Sequence, residues 1–204
     1  MQIQREGWTL HPLPAQGADR ECSGRVKVDI VDFHTLDSEN RRDELISALV
    51  GAVRRVTSAP LIVKLSPNVT DVTEFAAAAK DCGADAVSAV NTFLGMKIDV
   101  ATGRPHFQNR VAGLSGPAIR PIAVRIVYEI FARVKIPIIG LGGISSAEDA
   151  LEFLVVGARA VQIGTASFRN PQAACSLVKG IEDYLRAEGL DSVESLIGTY
   201  QEGV

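Results

Sequence analysis

Short apolar runs recur along the chain and alternate with amphipathic stretches. The four clearest runs cover residues 61–65, 86–90, 136–141 and 160–163. Continuous apolar runs of this length predict strands of a parallel sheet that is covered on both faces. An earlier run at residues 26–31 alternates with charged residues, which predicts a half-exposed first strand.

Apolar residues at spacings of three and four predict the helices between these strands. The predicted helices span residues 37–56 (capped by Asp37 or Ser38), 72–81, 119–134, 147–156 and 171–188. Alternating strands and helices predict an α/β fold on a parallel sheet. The strands follow one another at about 24 residues, except where residues 91–118 intervene. An insertion of that length predicts a functional loop.

A chain of this kind forms either an open doubly wound sheet or part of a (β/α)8 barrel. No GxGxxG motif follows the first strand, which weakens the dinucleotide-binding interpretation. The residues at the strand ends favour the barrel. Residues 1–24 mix glycine, proline and charge without an apolar period and predict an irregular lead-in, so the predicted domain covers residues 25–204.

Composition excludes several classes of protein. The 204 residues carry a net charge of -3 with scattered lysines and arginines, which argues against nucleic acid as a partner. The apolar runs are too short to span a bilayer, and the N-terminus lacks the pattern of a signal peptide. The three cysteines are far apart and form no CxxC pair. We therefore expect a cytoplasmic protein with reduced thiols, no metal site and no membrane contact.

Polar residues follow two of the predicted strands, where active sites of parallel α/β folds are built. Lys64 lies within an apolar run, so its ammonium is either paired, directed into a polar pocket, or extended to solvent from an edge. Asn91 and Thr92 end the next strand and suit a polar planar ligand, although Asn-Thr is also ordinary turn chemistry.

Glycine-rich turns follow the last two predicted strands. Gly142 and Gly143 lie in one turn, and Gly164 and Thr165 lie in the other. Such turns let backbone N–H groups approach an anion, and paired turns after two late barrel strands form a recurrent phosphate site. Either turn alone is as well explained by tight-turn geometry, but the pair favours phosphate. Ser115-Gly116 supplies a third such turn, just before a helix that Pro117 suits as a first-turn residue.

Taken together, these motifs resemble the dihydroorotate dehydrogenase family. The matching segments are VKLSPNVTD (63–71), VNT (90–92), GLSGPA (113–118), IIGLGGI (138–144) and IGTA (163–166). The resemblance implies FMN as cofactor and oxidation of dihydroorotate to orotate in de novo pyrimidine synthesis. The SPNVTD run is most similar to the heteromeric subclass, which implies an oligomer with an FAD and iron–sulfur partner subunit that passes electrons to NAD.

The resemblance also implies a role for each site residue. Lys64 lies against the flavin ring, and Asn91 and Thr92 contact the pyrimidine. The residues implied to hold the FMN phosphate and ribityl chain are Ser115, Gly116, Gly142, Gly143, Gly164 and Thr165.

One family feature has no counterpart in the sequence. In the family, a strand runs into Asn-Ile-Ser-Cys-Pro-Asn, whose cysteine is the catalytic base, whereas residues 28–36 contain no cysteine. Cys22, Cys82 and Cys175 are not credible substitutes, so no catalytic residue is identified. The resemblance covers about the last four to five βα units of a TIM barrel. We therefore expect a C-terminal half produced by truncation, a frameshift or separate encoding, and slow dihydroorotate oxidation by this chain alone.

Two alternatives remain at this stage. A dihydropyrimidine dehydrogenase-like reductase shares the PNVTD and NT motifs, and a substrate panel separates it from the leading hypothesis. The other alternative is a non-catalytic half-barrel that binds phosphate or flavin, which the missing base favours.

Overall fold

The computed structural model describes the backbone of residues 26–29 and 42–202, and the side chains of residues 46–202. The predicted lead-in at residues 1–24, with Cys22, lies outside the described residues. The predicted caps Asp37 and Ser38 also lie outside them.

Strands and helices alternate along the described part of the chain. In chain order the elements are β1 (Val26–Asp29), α1 (Arg42–Val56), β2 (Leu61–Leu65), α2 (Val72–Asp81), β3 (Ala86–Ala89), β4 (Phe93–Gly95), β5 (Ile98–Asp99), β6 (Arg104–Pro105), β7 (Ala112–Leu114), a 3-10 helix (Pro117–Ile119), α3 (Arg120–Arg133), β8 (Ile138–Leu141), α4 (Ala147–Val155), β9 (Ala160–Gln162), α5 (Thr165–Arg169), α6 (Ala173–Glu188) and a 3-10 helix (Val193–Leu196).

The main sheet has five parallel strands in the order β1-β2-β3-β8-β9. Each new strand is added on the same side of the previous one, so the order never reverses as it does in a doubly wound sheet. The helices pack side by side in the same sequence, α1 on α2, α2 on α3 and α3 on α4. The prediction of an α/β fold of the barrel type, incomplete in extent, is confirmed, and the described strands form an open sheet.

The prediction that both faces of this sheet are covered is wrong, because the helices of the described residues cover only one face. Leu61, Val63 and Leu65 of β2 are buried, whereas Ile62 and Lys64 between them are only partly buried. Strand β8 repeats this alternation. Each new strand joins the same edge of the sheet, and parallel crossovers have the same hand. All the connecting helices therefore lie on one face of the sheet, as they do in the wall of a barrel.

The core lies between this sheet and the helices. Val63 and Val87 of the sheet pack with Val127 of α3 and Phe153 of α4, all of them inaccessible to solvent. Gly140 makes room for that aromatic ring, since a Cβ at Gly140 would lie 2.6 Å from Cδ1 of Phe153. Burying a phenylalanine side chain stabilises the fold by about 1.5–3 kcal/mol.

Local signals explain why the helices begin where they do. Asp71 caps α2 by accepting a hydrogen bond from the backbone N–H of Thr73 at 2.8 Å. The hydroxyl of Thr73 also donates to this carboxylate, which lowers the pKa of Asp71. Ser146 and Asp149 form a reciprocal capping box at the start of α4.

The insertion between β3 and α3 differs from its prediction as a loop. It contains two antiparallel ribbons, β4 with β7 and β5 with β6. The short helix α5 was also not predicted, and α6 begins at Ala173 rather than at residue 171. None of the described helices is both long and apolar enough to cross a membrane.

Candidate functional site

A cavity of about 320 Å³ lies at the carboxyl ends of β2, β3, β8 and β9. All the residues predicted from sequence to bind cofactor or substrate line it, namely Lys64, Asn91, Thr92, Ser115, Gly116, Gly142, Gly143, Gly164 and Thr165. The carboxyl ends of parallel strands meet at one edge of a sheet, which explains how positions so far apart in sequence converge.

Backbone hydrogen bonds beyond the end of β3 hold Asn91 at the cavity. The N–H of Asn91 donates to the carbonyl of Leu65 at 2.9 Å, and the N–H of Val90 donates to the carbonyl of Leu141 at 2.7 Å. Lys64 pairs in register with Ser88 of β3, and its side chain lies on the sheet face that the helices leave open. Lys64 and Asn91 both line the cavity.

Asn68 fixes the first residues of the insertion against the end of β2. Its Nδ2 donates to the carbonyl of Thr92 at 2.9 Å, and its Oδ1 accepts from the N–H of Leu94 at 2.9 Å. The carboxamide thus bonds the two backbone groups that flank Phe93. Sequence reasoning did not single out Asn68, because a Ser-Pro-Asn run after a strand is ordinary turn chemistry.

The turns at Ser115-Gly116 and Gly164-Thr165 are tied together across the cavity. The hydroxyl of Thr165 donates to Oγ of Ser115 at 2.8 Å. Among residues 46–202, no side chain caps the short helices that begin after Gly116 and Gly164. Within that range, backbone N–H groups in both turns are therefore left without a side-chain acceptor, in contrast to the capped start of α4.

The third turn packs so closely that only glycine fits. Gly143 has a φ of 78°, and a Cβ there would lie 2.7 Å from the carbonyl oxygen of Gly116 and 3.0 Å from the backbone nitrogen of Arg120. Gly142 has a φ of 138°, and its Cβ would lie 2.8 Å from Cβ of Ala123. In contrast, no atom of the described residues lies within 4 Å of a Cβ built at Gly164.

A buried carboxylate keeps this third turn in place. Asp149 accepts hydrogen bonds from the N–H of Ser145 at 2.8 Å, from its hydroxyl at 2.7 Å and from the N–H of Ser146 at 3.0 Å. It is also ion-paired with Arg120, which in addition lies 3.3 Å from Glu152. The Arg120 guanidinium therefore links the start of α3 to α4. This link holds the Gly116 turn, which precedes α3, beside the Gly142-Gly143 turn, which precedes α4.

The charged side chains that line the cavity are all cationic. They are Lys64 and Arg169, and no carboxylate lines the cavity among the described residues. Sequence reasoning missed Arg169, together with Gln162 and Phe168, which line the cavity as well. The only available signal was position, because these residues flank the predicted Gly164-Thr165 turn on either side. The cavity therefore suits an anionic ligand.

Other reactive side chains lie elsewhere. Cys82 ends α2, Cys175 is exposed in α6, and neither lines the cavity. His106 is exposed in the insertion and packs edge-to-face with Phe107. Within residues 46–202, no group of three or more His, Cys, Asp or Glu side chains could hold a metal ion.

Comparison with known proteins adds independent information. The family model for dihydroorotate dehydrogenase matches residues 34–185. The chain is 53% identical over 148 residues to the protein named "Dihydroorotate dehydrogenase B (NAD(+)), catalytic subunit" of Caldicellulosiruptor bescii, covering 72% of this chain and 49% of that protein.

Two further relatives carry the same printed name. The one from Porphyromonas gingivalis is 56% identical over 153 residues, 75% of this chain and 50% of that protein. The one from Alkaliphilus oremlandii is 48% identical over 173 residues, 85% of this chain and 55% of that protein. The chain therefore spans about half the length of the curated relatives it matches.

Proposed function

The chain belongs to the dihydroorotate dehydrogenase family, and from this premise we propose that its cavity binds FMN and a pyrimidine for the oxidation of dihydroorotate to orotate. The observation that carries the proposal is the convergence of every predicted ligand-binding residue on one cavity. Since the chain spans about half of its relatives, we assign it the half of the site that holds cofactor and substrate, rather than the complete activity.

The turns around the cavity fit the phosphate and ribityl chain of FMN. Ser115-Gly116 and Gly164-Thr165 offer backbone N–H groups that no side chain caps. Gly142 and Gly143 bring a third stretch of backbone to the same wall of the cavity. Small residues permit close approach to an anion, and a cavity without carboxylates does not repel it.

The opposite end of the cavity fits a planar, partly anionic ring system. When bound, FMN would accept the hydride of dihydroorotate. The ammonium of Lys64 supplies a positive charge beside the position of the flavin ring, which favours its reduced, more negative form. The Oδ1 of Asn91 accepts a hydrogen bond from the N–H of Thr92 at 2.8 Å and keeps a second lone pair. Its Nδ2 donor and this remaining acceptor match the alternating N–H and C=O groups of a pyrimidine. Thr92 adds a hydroxyl, and the bonds from Asn68 keep both residues at the cavity.

The remaining parts of the reaction lie beyond the described residues. We propose that a second polypeptide segment supplies the base that removes the C5 proton of dihydroorotate and closes the open face of the sheet. The words "NAD(+)" and "catalytic subunit" in the relatives' names support an electron-transfer partner for this chain. We propose that this partner carries FAD and an iron–sulfur cluster and passes electrons to NAD. Scattered cysteines without a CxxC pair support a cytoplasmic location.

Anaerobic reduction of FMN by dihydroorotate tests the proposed function. The purified chain is mixed with FMN and dihydroorotate, with and without a polypeptide that corresponds to the N-terminal half of a relative. We expect slow reduction by the chain alone and a rise of about 10²–10⁴-fold when the base is supplied. Dihydrouracil in place of dihydroorotate tests the dihydropyrimidine alternative. Faster reduction by dihydrouracil, or an absence of FMN binding, would contradict the proposal.

A further inference from the structure

We propose that Arg169 binds the phosphate group of the cofactor and makes the cavity select FMN over riboflavin. This inference rests on the proposed function and adds a side-chain ligand to a phosphate site otherwise built from backbone turns. Arg169 is the last residue of α5 and lines the cavity, but neither the sequence motifs nor the resemblance assigns it a role.

The geometry of α5 directs this side chain towards the phosphate turns. Arg169 follows Thr165 by four residues, so the two side chains lie next to each other on one face of the helix. The hydroxyl of Thr165 on that face bonds Ser115 of the neighbouring turn. Cα–Cβ bonds in a helix tilt towards its N-terminus, so the side chain of Arg169 extends back towards Thr165. We infer that its guanidinium lies on the side of the cavity that Ser115 and Thr165 line.

The charges of Arg169 and its neighbours are consistent with an anion as its partner. Within residues 46–202, its guanidinium has no ion pair and no hydrogen bond, whereas Arg54, Arg120 and Arg133 each pair with a carboxylate. No carboxylate of the described residues lines the cavity and could neutralise this charge. A guanidinium forms bidentate hydrogen bonds to phosphate oxygens, so an uncompensated arginine here suits a phosphate monoester.

The two cations of the cavity are spread across the sheet. Lys64 lies on β2 and Arg169 follows β9, and these strands are three positions apart in the sheet. At about 4.8 Å per strand, the axes of these two strands are roughly 14 Å apart. Cations that belong to such widely separated parts of the sheet suit a long ligand with an electron-rich ring at one end and a phosphate at the other. Lys64 thus serves the ring end and Arg169 the phosphate end.

Fluorescence titration of the full chain with FMN and with riboflavin tests this inference. The variants are Arg169→Ala, Arg169→Lys and the control Arg159→Ala, which removes another exposed arginine that lies just before β9 and has no ion pair within residues 46–202. We expect Arg169→Ala to weaken FMN binding about tenfold while riboflavin binding changes less than about twofold. Arg169→Lys should restore part of the loss, and inorganic phosphate should compete with FMN less effectively in Arg169→Ala than in wild type.

Other outcomes would contradict either the inference about Arg169 alone or the proposed function as well. If Arg169→Ala and Arg159→Ala bind FMN alike, the inference is wrong and the proposed function stands. Equal losses for FMN and riboflavin also overturn the inference, because the side chain would then act on the ring or on the fold. If wild type binds neither FMN nor phosphate, the inference and the proposed function are both wrong.

Discussion

Replacing Gly143 by alanine tests how closely the glycine turns of the cavity pack. The substitution has two separable costs, the positive φ of 78° and the crowding of a new Cβ against the Gly116 carbonyl oxygen at 2.7 Å. Gly103 is a matched control, because its φ is 67° and nothing lies within 4 Å of a Cβ built there. The difference between the two variants therefore isolates the crowding.

The expected magnitudes follow from these contacts. Alanine at positive φ costs about 1–2 kcal/mol, of which the reduced entropy of the unfolded chain offsets about 0.4–1 kcal/mol. This loss is common to Gly103→Ala and Gly143→Ala. Overpacking costs a further 1–3 kcal/mol or so, and it applies only to Gly143→Ala because backbone atoms of Gly116 and Arg120 must move. We expect Gly143→Ala to be the less stable of the two by about 1–3 kcal/mol.

Urea unfolding followed by circular dichroism measures this difference. If the free energy of unfolding falls with urea at the same slope for both variants, the difference between their midpoints reports the difference in stability. If Gly143→Ala unfolds within about 0.5 kcal/mol of Gly103→Ala, the turns do not pack as described.

Three further predictions concern single side chains. Gly164→Val should leave the midpoint of urea unfolding nearly unchanged, because no atom of the described residues lies within 4 Å of its Cβ position. The added side chain should fill part of the cavity and weaken FMN binding about tenfold, as measured by fluorescence titration. Asn68→Ala should weaken the binding of orotate, measured by calorimetry, about fivefold. The substitution removes two hydrogen bonds to the backbone next to Asn91 and Thr92, the residues proposed to bind the substrate. The hydrogen bond from the Leu61 N–H, followed by the interaction with Arg54, lowers the pKa of Asp85 below its ordinary value of 3.8. The ionised Asp85 therefore stabilises the fold fully above pH 3.8, and this stabilisation is lost as the pH falls through the lowered pKa. Asp85→Asn should therefore flatten the loss of stability below about pH 4.

A specific result would contradict each of these three predictions. Undiminished FMN binding by Gly164→Val would show that the ligand does not approach this turn. Orotate binding by Asn68→Ala equal to that of wild type would show that the clamp on the insertion is dispensable. An acid-unfolding profile of Asp85→Asn that parallels wild type would assign the acid sensitivity to other groups.

Local sequence signals were sufficient where an element has its own periodicity and cap. Strand β2 and helix α2 begin and end where the pattern predicts, because a continuous apolar run and the Asp71 cap act locally. The ribbons of the insertion and α5 are two to five residues long, too short for any period to emerge. Covering of a single sheet face could not be predicted from the apolar runs, since it depends on the order in which strands pair.

The candidate site shows a similar division. Lys64, Asn91 and the glycines at 142, 143 and 164 could be predicted to share one edge, because each lies at or just beyond the carboxyl end of a parallel strand. The contact of Thr165 with Ser115 joins positions 50 residues apart, and no local pattern encodes it. Arg169 was missed for the same reason, because its place at the cavity depends on the direction of a helix that the pattern did not reveal.

A crystal structure of the chain with FMN and orotate would show whether this cavity binds both molecules. We predict the FMN phosphate among the turns of Gly116, Gly143 and Gly164, and orotate beside Asn91. A second cavity of about 270 Å³, lined by Phe131 and other residues near the amino end of β8, offers an alternative location for the ligand. FMN bound in this second cavity, or a phosphate turned away from the glycine turns, would contradict the proposed cofactor site.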